Sequence, residues 1–272
     1  MFIKKRELRR LSADVRGLID GKELDLCDHR EGALSQLKND IATLASRLRE
    51  QSEILAREKA GLSTVLADIS HQLKTPLTSA LMMSELLADE ALPPDKREEF
   101  LQSLHSSLAH TGRLVQSLLK LAKLDSGTVT YKREEVTAVE LVSAAAAPLH
   151  VMLEARGQTL RCALPPVRLL CDTTWTSEAL TNILKNASEH APEGGTVTVT
   201  AGENTLYAWV CVEDSGQGLT AAQLPRLFER FASENKHGGV GIGLHMARTI
   251  LRAQDGDLEA ALPGAFTLKF YK

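Results

Sequence analysis

The stretch DISHQLKTPLTS, residues 68–79, places a histidine and a proline five positions apart in a segment with helical spacing. Steps of three and four separate the apolar residues around it, which predicts an amphipathic helix. The apolar face comprises Leu66, Ile69, Leu73, Pro76, Ala80, Met83 and Leu87. His71 and Thr75 fall together on the opposite, exposed side. A proline removes one helical hydrogen bond and kinks the helix, but the apolar phase continues beyond Pro76, so we expect the helix to bend and resume.

Heptad spacing also precedes this stretch, from Leu34 to Val65, with polar seam residues at Gln51 and Glu58. This pattern predicts a coiled coil and favours a parallel dimer of imperfect stability. The first seam gives way to the second at residues 62–66, next to Gly61. Such a change of phase is a stutter, which locally unwinds a supercoil.

A turn and a third heptad segment follow. LPPDK, residues 92–96, predicts the turn. The apolar residues of the next helix are Leu101, Leu104, Leu108, Thr111, Val115, Leu118 and Ala122. Two amphipathic helices joined by a short turn form an antiparallel hairpin, and two hairpins bury their apolar faces as a four-helix bundle. We therefore expect a dimer.

The pattern changes near residue 126. Helices are predicted at 138–155 and 174–191, and strands at 158–164, 167–172, 196–200 and 206–214. Two more helices and two terminal strands follow, and the mixture predicts an α+β sandwich. The chain is thus divided into a linker helix and coiled coil at 1–61, a helical hairpin at 62–126, and an α+β domain at 127–272.

Composition and charge narrow the range of possible functions and locations. A net charge of −3 gives no indication of nucleic-acid binding. Four cysteines without CxxC spacing are typical of a reducing compartment. Neither a secretion signal nor an apolar run of about 18 residues is found, so we expect a cytoplasmic chain that does not span a bilayer. The basic cluster at 4–10 suits anionic lipid at the inner face of the cell membrane, and is compatible with a membrane anchor missing from this chain.

Three later motifs contain residue types that suit a nucleotide. TNILKNASEH puts Asn182 and Asn186 one helical turn apart, where neutral amide oxygens can serve a hydrated Mg²⁺. EDSGQGL follows at a strand end, where glycines permit close backbone approach and a carboxylate can accept from a purine amine. GGVGIGL, residues 238–244, opens a helix whose N–H groups can hold phosphate. Each motif alone is weak evidence, and their order carries the signal, together with LFERF at 227–231.

The order and separation of these motifs resemble a known family. DISHQLKTPLT resembles the H-box of sensor histidine kinases of the HisKA type. The later motifs resemble the N, G1, F and G2 boxes of the GHKL, or Bergerat-fold, ATPases. The resemblance covers roughly residues 62–272. It implies a homodimer through residues 62–126, with a four-helix bundle, followed by a two-layer α+β ATP-binding domain.

The resemblance also implies roles for single residues. His71 would be the phosphoacceptor, with Gln72 beside it and Thr75 helping to orient water for dephosphorylation of the partner. Asn186 would ligate Mg²⁺, and Asp214 would bind the adenine amine. The other implied ATP-binding residues are Asn182, Lys185, Gly216, Gly218, Phe228, Phe231, Gly239, Gly241, Gly243 and Leu244.

On this reading, ATP with Mg²⁺ phosphorylates His71, and an aspartate of a cognate response regulator then takes the phosphoryl group. Three departures from the family pattern leave alternatives open. Gln72 stands where many relatives carry an acid, Glu189 stands where a basic residue is common, and the arginine after the last F-box aromatic is missing. A nucleotide-binding pseudokinase or scaffold is therefore the alternative. A GHKL ATPase outside signalling is a third reading, against which the H-box hairpin argues.

Overall fold

The computed structural model describes residues 33–89, 92–230 and 241–272. It contains two compact units, residues 1–69 and 70–272. Two of the predicted ATP-binding residues, Phe231 and Gly239, and the basic cluster at 4–10 lie outside the described residues.

In the first unit, the described residues belong to the helix α1 (Ala33–Leu87). Four leucines of the predicted seam are exposed there, Leu37, Leu44, Leu48 and Leu55. Exposed leucines at heptad spacing are what a coiled-coil helix presents when no second helix covers it. The parallel coiled coil and its stutter stay predictions.

The second unit begins with a helical hairpin. Helix α1 continues through Pro76, as the unbroken apolar phase predicted, and the bend expected at Pro76 stays a prediction. The helix α2 (Pro94–Asp125) has Pro94 in its first turn, where a missing N–H group leaves no hydrogen bond unmade. The hydroxyl oxygens of Ser79 and Ser107 lie 3.5 Å apart and mark the register between the two helices.

Helix α2 has two apolar faces, and the heptad spacing predicted one of them. Leu101, Leu108 and Val115, on the predicted seam, are exposed in the single chain. A second stripe consists of Leu114, Leu121 and Leu124, whose side chains are buried in the same hydrophobic cluster as the core of the following domain. Helix α2 therefore serves both the hairpin and the domain that follows it.

That domain has seven strands and four helices among its described residues. The strands are β1 (Glu134–Thr137), β2 (Thr159–Ala163), β3 (Arg168–Cys171), β4 (Thr196–Glu203), β5 (Tyr207–Asp214), β6 (Gly256–Ala261) and β7 (Ala265–Tyr271). The helices are α3 (Ala138–Ala146), α4 (His150–Ala155), α5 (Thr173–His190) and α6 (Gly243–Arg252). Strand β1 was not predicted. A single 3-10 turn at Leu224–Arg226 stands where the first of the two later helices was expected.

Five strands form the main sheet in the order β2-β4-β5-β7-β6. The pair β2–β4 is parallel and the other pairs are antiparallel. Burial alternates along β4, β5 and β7, so one face of the sheet is covered. Helices α3, α5 and α6 have buried apolar faces in the same core. The predicted two-layer α+β architecture is confirmed.

The expectation that the sequence has no apolar run of about 18 residues was wrong: the window Ala138–Ala155 has a mean hydropathy of 1.3 and could cross a membrane by length and composition. In the structure this window is divided among α3, a 3-10 turn at Ala147–Leu149 and α4. Its residues Leu141 and Ala145 are fully buried in the domain core. Core packing accounts for the apolar residues on the buried side of this window.

The start of the domain is fixed by contacts with α5. The backbone N–H of Lys132 donates to one carboxylate oxygen of Asp172 (2.8 Å), and the other oxygen accepts from the N–H of Trp175 (3.0 Å) and so caps α5. The rings of Tyr131 and Trp175 meet edge to face, with centroids 6.1 Å apart. Strand β1 pairs with β3 in a small antiparallel sheet. The domain fold therefore includes the chain from Tyr131 onward.

Candidate functional site

His71 and its neighbours lie on the exposed side of α1. The side chains of His71, Gln72 and Thr75 are all exposed. The hydroxyl of Thr75 donates to the backbone carbonyl of His71 over 3.2 Å. The structure thus places an accessible imidazole on a continuous helix, with the threonine one turn away.

Helix α5 holds the two predicted asparagines beside its buried face. The buried apolar residues of that face are Ala179, Leu180, Ile183, Leu184 and Ala187. Asn182 and Asn186 are half-buried on the adjoining side. The amide nitrogen of Asn182 is buried and has no hydrogen-bond partner among the described residues. A buried donor without a partner destabilises the folded protein. It therefore indicates a position where a ligand can supply the acceptor.

Lys185 lies on the same helix and is already engaged. Its ammonium group is 3.7 Å from the carboxylate of Glu189, the acid that stands where relatives often carry a basic residue. The side chain of Lys185 is more exposed than that of Glu189. A cation that shares its charge with a neighbouring carboxylate is a weaker phosphate partner than a free one.

Asp214 ends β5 and begins the predicted glycine turn. One of its carboxylate oxygens accepts from the N–H of Gly216 (2.8 Å), which leaves the second oxygen available. A Cβ atom on Gly216 would collide with the carbonyl oxygen of His190. Gly218 has φ +75°, and a Cβ there would collide with the carbonyl oxygen of Pro263. Both glycines are required because the backbone passes between two other segments.

The third motif opens α6 close to the asparagines. Gly241 has φ +69° just before the helix, and Gly243 is its first residue. A Cβ on Gly243 would lie 3.4 Å from the side-chain oxygen of Asn182. Leu244 is half-buried against the core. The N-terminal end of α6, with its unpaired N–H groups, therefore meets Asn182.

Phe228 is anchored to α6 through both its ring and its backbone. The guanidinium of Arg248 lies 4.5 Å from the ring centroid. The Nδ1 atom of His245 is 2.9 Å from the Phe228 carbonyl, to which it donates in the neutral tautomer. Burial, together with the positive charge of Arg230, lowers the pKa of His245 and favours that neutral form.

Arg230 and Arg248 extend these contacts in two directions. The Nε of Arg230 donates to His245 Nε2 (3.0 Å), and its terminal nitrogen lies 2.9 Å from the carboxylate of Asp125, the last residue of α2. Arg248 lies 3.0 Å from Asp257. Although burial opposes it, hydrogen bonds from Arg248 and Arg252 lower the pKa of Asp257 to about 2. The segment around Phe228 is therefore tied to α6, and Arg230 connects it to α2.

The motifs did not reveal these anchoring residues. Arg230 lies inside LFERF and His245 follows Leu244 directly, but no spacing rule couples the two. Only the folded chain brings them together. The structure does bring together two residues that the motifs contain, since Gly243 lies against Asn182.

The site suits a purine nucleotide with a divalent cation. The unpartnered amide of Asn182, the free oxygen of Asp214 and the N-terminal end of α6 offer a donor, an acceptor and N–H groups, respectively. No cluster of three or more His, Cys, Asp or Glu side chains within 33–89, 92–230 and 241–272 could hold a metal ion. Amide and phosphate oxygens are suitable Mg²⁺ ligands, so the residues present fit a cation that arrives with its nucleotide.

Comparison with known proteins gives two family matches. Residues 62–127 match the His Kinase A (phospho-acceptor) domain. Residues 171–270 match the family described as histidine kinase-, DNA gyrase B- and HSP90-like ATPase. The two matched ranges together cover more than half of the chain.

Curated relatives and a solved structure agree with these matches. Histidine protein kinase DivJ of Caulobacter vibrioides is 29% identical over 238 residues, 85% of this chain and 38% of its own length. Signal transduction histidine-protein kinase BaeS of Escherichia coli is 28% identical over 263 residues, 93% of this chain and 55% of its own length. The chain thus spans about half, or less, of these relatives.

The solved structure of histidine kinase ThkA in complex with response regulator protein TrrA has the same fold, with a TM-score of 0.62 at 18% identity. The structural match covers 82% of this chain and 64% of the ThkA chain. Phosphoacceptor and ATPase domains in this order are the arrangement of one signalling family. This chain belongs to the sensor histidine kinases of two-component systems.

Proposed function

We propose that this chain is the kinase portion of a two-component sensor, which phosphorylates His71 from ATP and passes the phosphoryl group to a response regulator. The observation that carries the proposal is the meeting of Asn182 with the N-terminal end of α6, in a chain whose exposed His71 lies on a separate helix. One element supplies a nucleotide site and another an accessible acceptor, and a phosphotransferase needs both.

The chemical step needs positioning more than covalent help from the protein. A ring nitrogen of neutral His71 attacks the γ-phosphorus, a P–N bond forms, and the P–O bond to ADP breaks. The imidazole must then lose its remaining proton to solvent or another acceptor. The amide oxygen of Gln72 can accept a hydrogen bond from the ring but cannot hold that proton at neutral pH. Because His71 is exposed, water can reach the ring.

Asn186 would be the protein ligand of Mg²⁺, with Asn182 nearby. When bound, the ion would neutralise charge on the phosphate oxygens. Asp214 would accept from the adenine amine with its free oxygen. Gly216 and Gly218 let the turn that carries Asp214 pack against its neighbours, while Gly241 and Gly243 would lie at the end of α6 that faces the phosphates. Lys185 would have to leave Glu189 before it could approach a phosphate.

The second candidate is a phosphatase activity toward the phosphorylated regulator. Thr75 supports it, because its exposed hydroxyl lies one turn from His71 and donates to a backbone carbonyl, which leaves its oxygen able to accept. A pseudokinase that binds nucleotide and regulator without phosphoryl transfer is the remaining alternative. Two observations favour the pseudokinase. Gln72 stands where many relatives carry an acid, and Lys185 is paired with Glu189.

We further propose a homodimer through residues 62–126, in which a second hairpin covers the exposed seam residues of α2. The partner would be a cognate response regulator, by analogy with the ThkA–TrrA complex. We place the chain at the cytoplasmic face of the membrane.

The test is incubation of the full chain with γ-labelled ATP and Mg²⁺. The labelled protein should be acid-labile and base-stable, as a phosphoramidate is, and His71→Gln should abolish the label. His105→Gln, on the exposed surface of α2, is the matched control and should keep it. Label that persists after His71→Gln would overturn the phosphoacceptor, and no label in the unaltered chain would favour the pseudokinase.

A further inference from the structure

Gln158 is a buried polar residue outside the predicted motifs. It lies between α4 and β2, and its side chain is 8% exposed. Its amide nitrogen donates to the carbonyls of Ser188 (2.9 Å), Ala191 (3.1 Å) and Pro192 (3.1 Å). Its amide oxygen accepts from the Ser188 hydroxyl (2.5 Å). Both ends of this amide are therefore used on one short segment.

That segment is the C-terminal end of α5, where carbonyl groups lack helical partners. Gln158 supplies a donor to several of them at once. Neighbouring residues reinforce the attachment, because Arg156 donates to the Ala191 carbonyl (3.2 Å) and the N–H of Thr159 donates to the Gly195 carbonyl (2.9 Å). The start of β2 thus holds residues 188–195 in place.

The same segment forms the back of the Asp214 turn. The carbonyl of His190 occupies the space that a Cβ on Gly216 would need. On the other side, the Ser215 hydroxyl accepts from the N–H of Thr196 (2.9 Å), and a Cβ on Gly195 would lie 2.8 Å from it. The turn therefore packs between two parts of one segment, His190 on one side and residues 195–196 on the other.

The orientation of Asp214 depends on that turn. The N–H of Gly216 fixes one carboxylate oxygen (2.8 Å), so a shift of Gly216 redirects the other oxygen. We propose that Gln158 is a positioning residue that sets the selectivity for adenine, by holding the end of α5 against the turn that orients Asp214. This inference rests on the proposed function, in which Asp214 accepts from the exocyclic amine of ATP.

The experiment compares ATP with inosine triphosphate, which carries an oxygen in place of that amine. Titration calorimetry on the full chain with Mg²⁺ gives the dissociation constant and the stoichiometry for each nucleotide. Since only ATP can donate its exocyclic amine to the Asp214 carboxylate, the unaltered chain should prefer ATP by about tenfold or more. Gln158→Met, which keeps the side-chain volume and deletes the hydrogen bonds, should reduce that preference several-fold.

Gln254 provides a matched control. It is also a buried glutamine, at 6% exposure, but it accepts from the N–H of Asp172 (2.6 Å) and so holds the opposite end of α5. Gln254→Met should lower stability without changing the ratio of the two dissociation constants. A merely structural role for Gln158 would lower the stoichiometry, or weaken both nucleotides equally.

Each outcome has one meaning. A reduced preference in Gln158→Met but not in Gln254→Met supports the inference. An unchanged ratio in folded Gln158→Met, or an equal loss in both variants, overturns it and leaves the proposed function standing. If the unaltered chain binds ATP without preferring it to inosine triphosphate, Asp214 does not contact the adenine amine. That result would overturn the inference as well. If Gln158→Met does not fold, the milder Gln158→Asn takes its place under the same criteria.

Discussion

Asn182 destabilises the nucleotide-free protein and, in the proposed complex, contributes to nucleotide affinity. Its buried amide nitrogen has no partner in the part of the chain that the structure describes, and such a donor is destabilising by about 1–3 kcal/mol. We therefore expect Asn182→Ala to leave the melting temperature of the nucleotide-free protein nearly unchanged or higher. The rise in melting temperature on adding ATP with Mg²⁺ should shrink, because affinity falls by about tenfold or more.

Thermal unfolding with and without nucleotide measures both effects. Ser177→Ala, on the same helix but outside the site, is the control and should keep the full nucleotide-dependent rise. A normal rise in Asn182→Ala would remove Asn182 from the site.

His245 makes the stability of the domain depend on pH. Burial is the main reason that its pKa is lowered from 6.5 in the folded chain. The unfolded state then binds more protons below about pH 6.5, so stability is full above that pH and falls as the pH drops toward the folded pKa. Arg230 and Asp125 face His245 from the neighbouring segments and act in opposite directions on it.

We expect the free energy of unfolding in urea to be lower at pH 5.5 than at pH 7.5. His245→Gln should reduce that difference, because glutamine does not titrate. His110, whose pKa is also lowered, mainly by burial, titrates in the same direction, so His110→Gln is measured alongside. An unchanged difference in His245→Gln would mean that other groups cause the pH dependence.

At the scale of elements, the two faces of α2 predict opposite effects for neighbouring residues. Leu114 is fully buried with the core of the ATP-binding domain, whereas Val115 is 41% exposed in the single chain. Leu114→Ala should destabilise the protein by about 2–5 kcal/mol and leave the dimer intact. Val115→Arg should weaken the dimer, because it puts a charge on the predicted seam, and should hardly change the unfolding of the domain.

Analytical ultracentrifugation and thermal unfolding separate these outcomes. Dissociation in Leu114→Ala together with a stable dimer in Val115→Arg would reverse the assignment of the two faces.

Some elements could be predicted from sequence because their signals are local. Helix α5 with Asn182 and Asn186, and the strands β4 and β5, follow from periodicity within a few residues. Strand β1 was missed because four residues, two of them glutamates, give no alternating pattern, and only its pairing with β3 makes it a strand. The partners of Gln158 are 30 to 34 residues away, and no local rule reports such contacts.

For the whole molecule, the predicted stutter at 62–66 suggests how a signal reaches the hairpin. A change of phase and a nearby glycine leave a poorly specified step between the coiled coil and the catalytic part. Deleting three or four residues within 56–62 should change the ratio of kinase to phosphatase activity without dissociating the dimer. Deleting seven should do much less, because it preserves the phase.

Both activities are measured with labelled ATP and a labelled regulator. Equal ratios after both kinds of deletion would show that phase carries no signal at this position.

The contacts of Lys132 and Tyr131 with the start of α5 limit how such kinases can be recombined. The match to the ATPase family begins at residue 171, yet the N–H of Lys132 that holds the capping residue Asp172 and the strand β1 that pairs with β3 come from residues before it. A hybrid joined at residue 171 would bring a foreign β1 strand and a foreign N–H donor for Asp172 to the incoming domain. A crossover at 126–130, between the end of α2 and Tyr131, keeps these contacts, but the incoming domain must then also fit the buried α2 stripe of Leu114, Leu121 and Leu124.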